Sequence, residues 1–270
     1  MTIVTTTTQL TDFARILGGE RVSVYAVLKA NVDPHDYEPS PADLSRIAEA
    51  DLLVKSGVDL EGWFGDTIDS ADPKGEIVDA STGITLREGG EQAAGDPHIW
   101  QNPLNAKAMV HTIAQALERV DPAHGADYQR NEAAYAREID ALDAEVKAGI
   151  DGLANKKLVT NHDAFGYYVD HYGLEFVGSI IPSFDTQAEL SAQDISDIVA
   201  KIRGAGVKAV FSESSLPPKT ADAIGQEAGV KVVAGEDALY GDTLGPEGSD
   251  GDTYLKMIRH NTRVIVDNLS

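Results

Sequence analysis

Two hydrophobic patterns alternate along the chain. Short β-branched or aliphatic runs at Thr2–Thr7, Val22–Val27 and Asp51–Ser56 read as strands, the last of them buried on both faces. Helical spacing covers about Gln9 to Leu17 and is closed by Gly18 and Gly19, because glycine takes the left-handed residue that ends a helix at little steric cost. The loop Asn31–Pro39 leads into Ser40-Pro41-Ala42-Asp43. A capping serine, a proline at the first helical position and an acid in the first turn predict a helix there. The polar stretch Thr82–Gly95 predicts an exposed loop, and Asn102-Pro103 opens a helix with Met109, Ile113, Ala116, Leu117 and Val120 on one face.

From Gly125 to about Leu153 runs one polar helix in which Tyr128, Tyr135, Ile139, Leu142, Val146 and Ile150 draw a single apolar stripe. Its ~29 residues extend ~43 Å at 1.5 Å per residue, too long for the body of one small lobe, so it reads as a rigid connector rather than a solvated surface helix. The alternation then restarts, with strands at Lys157–Thr160, Glu175–Ile180, Val207–Ser212 and Lys231–Ala234. Helices are expected at Asp163–Tyr172, Ala188–Gly204, Thr220–Ala228 and Asp250–Leu269. The predicted class is α/β: two Rossmann-like lobes with mainly parallel sheets, residues 1–122 and 155–270, joined by a connector at 123–154. Ligands of such sheets sit beyond the carboxyl ends of the strands, and with two lobes the cleft between them is the expected site.

Composition narrows the chemistry. With 22 Lys+Arg against 44 Asp+Glu, the net charge of −22 disfavours nucleic acid and anionic lipid and favours a small cation. Absence of cysteine removes disulfides, thiolate metal sites and cysteine nucleophiles. No run of about 18 apolar residues is available to span a membrane. Met1-Thr2-Ile3-Val4 has neither a basic nor an apolar signal region, so the expectation is either a cytosolic protein or one whose leader has been removed.

Seven histidines occur, at 35, 98, 111, 124, 162, 171 and 260. Asp33-Pro34-His35-Asp36-Tyr37 and Asp96-Pro97-His98-Ile99-Trp100 repeat Asp-Pro-His with an aromatic two residues on. Asn161-His162-Asp163-Ala164-Phe165 follows a strand directly. Proline stiffens the first two segments, and Asp33, Asp36, Asp96 and Asp163 are candidates to accept the second ring N–H and fix the tautomer. A lone loop histidine is ordinarily solvated, but three in matching settings point to a metal, and three imidazoles suit zinc. His111, His171 and His260, inside helices, and His124, at the start of the connector, read as surface residues. A carboxylate should complete the set, and the loop Gly235–Gly251 offers Glu236, Asp237, Asp242, Glu247 and Asp250. Asp242, in the tight turn Asp242-Thr243-Leu244-Gly245, is preferred, while on spacing alone Asp237 is nearly as good.

Further motifs accompany these: Tyr37-Glu38-Pro39-Ser40, Ala50-Asp51-Leu52-Leu53-Val54 ahead of Gly57, Ala164-Phe165-Gly166-Tyr167, Tyr172-Gly173-Leu174, Ser191-Ala192, Val210-Phe211-Ser212-Glu213, and Tyr254 with Met257 and Asn261. In this order they resemble, over essentially the whole chain, the metal-specific solute-binding proteins of ABC importers, the cluster A-I (cluster 9) receptors for zinc and manganese. The resemblance implies two α/β lobes bridged by one long helix, with a single metal in the cleft. Its ligands would be His35 and His98 from the first lobe and His162 and Asp242 from the second. Manganese receptors of the family usually carry glutamate in place of His162, so zinc is the implied cargo and a manganese receptor the alternative. Many zinc receptors have a His-rich loop before the second ligand histidine; Leu86–Gly95 is short and has none, which speaks against accessory zinc capture. ABC permease membrane subunits are the implied partners, with delivery by a metallochaperone left open. A monomer is expected, periplasmic or extracellular and membrane-associated, with the signal segment absent from this sequence.

A zinc hydrolase is the competing reading. Four protein ligands would close the position that a catalytic zinc keeps open for water, and neither a His-Glu-x-x-His helix nor a Gly-x-Ser-x-Gly elbow is present. Glu213 and Glu189, the conceivable bases, fit structural or hinge contacts better. A metal-dependent adhesin or a structural zinc site is a third reading, though structural sites more often use cysteine. No catalytic residue is therefore expected. In the expected mechanism His35 and His98 hold the ion first and His162 and Asp242 close the shell. The connector limits the lobes to small tilts, and opening of the 235–251 loop withdraws Asp242. Neutral imidazole is needed for ligation, so affinity should fall below about pH 6.5.

Overall fold

Every strand pairs in parallel. The computed structural model describes residues 1–88 and 94–270. β1 (Thr2–Thr5), β2 (Ser23–Ala26), β3 (Leu52–Lys55) and β4 (Glu76–Asp79) form one sheet in the order β2-β1-β3-β4. β5 (Lys157–His162), β6 (Glu175–Ile181), β7 (Ala209–Phe211) and β8 (Lys231–Val233) form the second in the order β6-β5-β7-β8. The two sheets thus share one strand order, which reverses beside β1 in one and beside β5 in the other. Crevices at such reversals, past the carboxyl ends, are where open α/β sheets bind ligands.

Nine α-helices among the described residues flank the sheets: α1 (Thr8–Gly18), α2 (Pro41–Ala48), α3 (Phe64–Ala71), α4 (Pro103–Val120), α5 (Gly125–Asp151), α6 (Gly166–Tyr172), α7 (Ala192–Ala205), α8 (Lys219–Ala228) and α9 (Tyr254–Leu269). Capping sets several starts. Ser40 and Asp43 form a reciprocal box at α2, and Ser191 and Asp194 form one at α7, which therefore begins four residues later than Ala188. Thr253 accepts from the Lys256 N–H and starts α9 at Tyr254 rather than at Asp250. α6 starts at Gly166 because residues 163–165 turn back, with the Ala164 N–H donating to the His162 carbonyl. Helix α3 and strand β4 are absent from the sequence-based expectation. Within the loop expected at Thr82–Gly95, and within the Leu86–Gly95 stretch, residues 89–93 lie outside the described residues.

The connector is continuous. All six stripe residues of α5 are buried, and they join one apolar cluster with Phe13, Trp100 and Leu117 of the first lobe and Phe165, Phe211 and Tyr254 of the second. Each large apolar side chain withdrawn from water is worth roughly 1.5–3 kcal/mol, so parting either lobe from α5 would be costly. The outer faces of the sheets have separate clusters, Val4, Val27, Ile47 and Leu53 in the first lobe and Val159, Ile198, Val210 and Ile224 in the second.

Candidate metal centre

Three loops and one strand end converge where the lobes meet. His35 stands in the loop after β2, where the Asp33 carboxylate accepts its main-chain N–H at 2.9 Å. His98 precedes a short 3-10 turn, Ile99–Gln101, and one oxygen of Asp96 accepts both its main-chain N–H (3.0 Å) and its Nδ1–H (2.8 Å). The second Asp96 oxygen accepts from Arg87, which also reaches Asp170 of α6. His162 is the last residue of β5, and its main-chain N–H and Nδ1 both lie 3.0 Å from the Glu213 carboxylate just after β7. Asp242 lies in the turn that follows β8.

Their ligating atoms lie within 4.8 Å of one another. His98 Nε2 and His162 Nε2 are 3.3 Å apart, and Asp242 Oδ1 is 3.4 Å from each. Asp242 Oδ2 lies 3.9 Å from His35 Nε2. Phe184 packs against His98 with a centroid distance of 6.2 Å and helps exclude water. Among the described residues, buried His35 Nε2 and both Asp242 oxygens find no hydrogen-bond donor or acceptor. Unpaired buried polar atoms are costly unless a counter-charge meets them, and a divalent cation would engage all three.

Charge coupling shapes the cluster. Burial is the largest influence on His98, yet the close contact with Asp242, the hydrogen bond to Asp96 and the charges of both outweigh it and raise the imidazole to about 9. Burial likewise opposes, and the charges of Asp242 and Glu213 overcome it, so His162 is raised well above the ordinary histidine value. Burial lowers His35 to about 4, against the pull of Asp242. Asp242 is desolvated too, but the His162 charge and contacts to His162 and His98 hold it well below the usual carboxylate range.

The structure therefore brings together His35, His98, His162 and Asp242. Asp237 does not join them: it is exposed and faces Arg263 at 3.6 Å. Among the four acids proposed as ring partners, only Asp96 takes that part; Asp33 accepts from the Thr186 hydroxyl at 2.6 Å instead. The partner of His162 is Glu213, and no spacing in the chain links two residues 51 positions apart. Glu189 is exposed. Of the four histidines expected at the surface, His111 is exposed and His124 and His171 are half-buried, but His260 is buried, with Nε2 2.9 Å from the Ala238 carbonyl. Close packing also fixes two glycines. A Cβ at Gly166 would lie 2.0 Å from the Arg87 guanidinium, and one at Gly241 2.0 Å from Glu213 Oε2.

Residues 3–268 match the family profile described as zinc-uptake complex component A, periplasmic. The iron-binding protein YfeA of Yersinia pestis is 32% identical over 260 residues, covering 95% of this chain and 82% of that protein. The manganese ABC transporter substrate-binding lipoprotein PsaA of Streptococcus pneumoniae is 30% identical over 280 residues, covering 99% and 88%. In three dimensions the chain is similar to the periplasmic zinc-binding protein TroA of Treponema pallidum, with a TM-score of 0.94, 29% identity, and 100% and 99% of the two chains covered.

Proposed function

The chain belongs to the zinc-uptake complex component A family, the substrate-binding proteins of metal ABC transporters, and we propose that it is an extracytoplasmic receptor that captures Zn2+ and passes it to an ABC permease. The family is one of transport proteins rather than enzymes. His35, His98, His162 and Asp242 are taken as the ligands. The receptor acts as a monomer of two lobes, residues 1–122 and 155–270, with residues 123–154 between them. A metallochaperone is not required by this reading.

The observation that carries zinc is the triangle of His98 Nε2, His162 Nε2 and Asp242 Oδ1, with edges of 3.3, 3.4 and 3.4 Å. Three corners at these separations fit tetrahedral bonds of about 2.1 Å, the length zinc makes to imidazole and carboxylate, with His35 Nε2, now 3.9 Å from Asp242 Oδ2, moving in as the fourth. Cis positions of an octahedron would need about 2.4 Å, a length suited to calcium, which takes oxygen ligands. A manganese receptor is the second reading, favoured by the orientation of both Asp242 oxygens toward the histidines and by the 3.9 Å gap to His35, which suits a carboxylate binding through two oxygens. Competitive titration separates them. Zinc wins over manganese at most nitrogen and oxygen sites, so the deciding quantity is the manganese affinity itself. Stoichiometric zinc with no retention of manganese after gel filtration is expected; tight, stoichiometric manganese would overturn the zinc assignment.

Proton release offers a second check. Burial holds His35 neutral, whereas the surrounding carboxylates favour a proton on the His98–His162 pair, whose Nε2 atoms face each other at 3.3 Å and can share one between them. Ligation requires neutral imidazole, so zinc binding at pH 7 should expel about one proton. Affinity should therefore keep rising with pH toward about 9 instead of levelling near the value of an unperturbed histidine. Metal-free stability runs the other way. The raised His98 value adds stability that is complete below about pH 6.5 and is lost as pH rises through about 9. Calorimetric titrations in buffers of different ionisation enthalpy count the protons directly.

A further inference from the structure

Asp242 belongs to the second lobe by sequence, but the backbone around it is held by the first. Gln9 Nε2 donates to the Asp242 carbonyl at 2.9 Å, and the Leu244 N–H donates to Thr8 Oγ1 at 2.8 Å. Thr8 Oγ1 in turn donates to Gln9 Oε1 at 3.2 Å. Residues 8 and 9, at the start of α1, thereby clasp both ends of Asp242-Thr243-Leu244. The loop bearing His35 adds the Asn31 N–H, donated to Thr243 Oγ1 at 3.0 Å. The turn after His98 adds Trp100 Nε1 and Gln101 Nε2, both donated to the Gly241 carbonyl, at 3.0 and 2.8 Å. On the other side, the Asn261 side chain pairs with the main-chain N–H and carbonyl of Tyr240 at 2.9 and 2.8 Å, one residue before Gly241. Among the described residues no donor hydrogen-bonds either Asp242 oxygen, so beside the 3.4 Å contacts with His98 and His162 this backbone clasp is what positions the carboxylate.

We propose that Gln9 is a positioning residue for the metal site: it seats Asp242 on the first lobe, so that His35, His98 and Asp242 form one unit and His162 is the ligand that joins and leaves it. This rests on the receptor reading above. Gln9 is fully buried in the first turn of α1, where a polar side chain persists only if its amide is satisfied, and the Asp242 carbonyl and Thr8 hydroxyl satisfy both ends of it. His162 is tied instead to its own lobe through Glu213. Withdrawing the 235–251 loop would break five hydrogen bonds to the first lobe together, whereas a small tilt of the second lobe removes His162 and leaves them intact.

A double-mutant cycle with Zn2+ tests this. Gln9→Met keeps the length of the side chain and removes the donor; it should weaken zinc binding about 10-fold, chiefly through faster release. Made on an Asp242→Ala background, the same change should cost nothing further, because its effect passes through that carboxylate. Thr8→Val, on a partly exposed side chain, should give a smaller loss with the same non-additivity and serves if Gln9→Met does not fold. Unchanged affinity, or losses that add across the cycle, would overturn the role of Gln9 while parental zinc binding stands. Failure of the parent to bind zinc would instead remove the receptor reading.

Discussion

Zinc affinity should fall by more than about 100-fold when His98 is replaced by alanine, beyond the range that loss of an outer-shell partner produces. His98 is fully buried, and its Nε2 is one corner of the triangle whose edges match tetrahedral zinc. Without it the ion would keep two imidazoles and one carboxylate and gain a water in place of a nitrogen. Asp242 would also lose one of the two imidazole contacts that hold its carboxyl below the usual range in the metal-free state. Alanine therefore alters the empty protein as well, so His98→Gln, which retains bulk, should be measured beside it, with circular dichroism reporting on folding. Equal affinity of both variants and the parent would remove His98 from the site.

Saturating zinc should raise the melting temperature by roughly 8–16 °C over the chelated protein. At a free concentration of about 1,000 times Kd, binding to the folded state alone adds about 4 kcal/mol, and each kcal/mol moves Tm by roughly 2–4 °C in a chain of this size. The source of that gain is visible in the cluster, where zinc would engage the unpaired Asp242 oxygens and His35 Nε2. Differential scanning calorimetry across a zinc series is the measurement, and an unchanged Tm at saturation would contradict binding at this site. Calcium at the same concentration should leave Tm unmoved, because a set of three nitrogens offers a hard oxygen-seeking ion too little.

Much of the fold and of the candidate site is legible in the sequence. The paired Asp-Pro-His segments and the histidine at a strand end mark their own chemistry, and the period of the α5 stripe marks its buried face. What the chain concealed has physical causes. β4 offers only Ile77 and Val78 between acids, and as an edge strand it leaves Ile77 41% exposed, so no apolar run announces it. α3 starts at Phe64, with Trp63 before it giving no side-chain cap, and has glycine in its first turn. Glu213 reads as a strand-end residue until β5 and β7 are placed side by side, which puts its carboxylate beneath His162. The choice between Asp242 and Asp237 is likewise three-dimensional, since five hydrogen bonds from the other lobe draw residues 241–244 inward and none holds Asp237 there.

The unbroken course of α5 through a core that both lobes share has a consequence for the transporter. A receptor whose halves swing apart widely announces its cargo by a change of silhouette. Here the empty and loaded forms should have nearly the same outline, because any large swing would tear the apolar stripe from its neighbours. A permease that accepts only loaded receptors would then have to sense fine detail at the rim of the cleft and not the gross shape of the molecule.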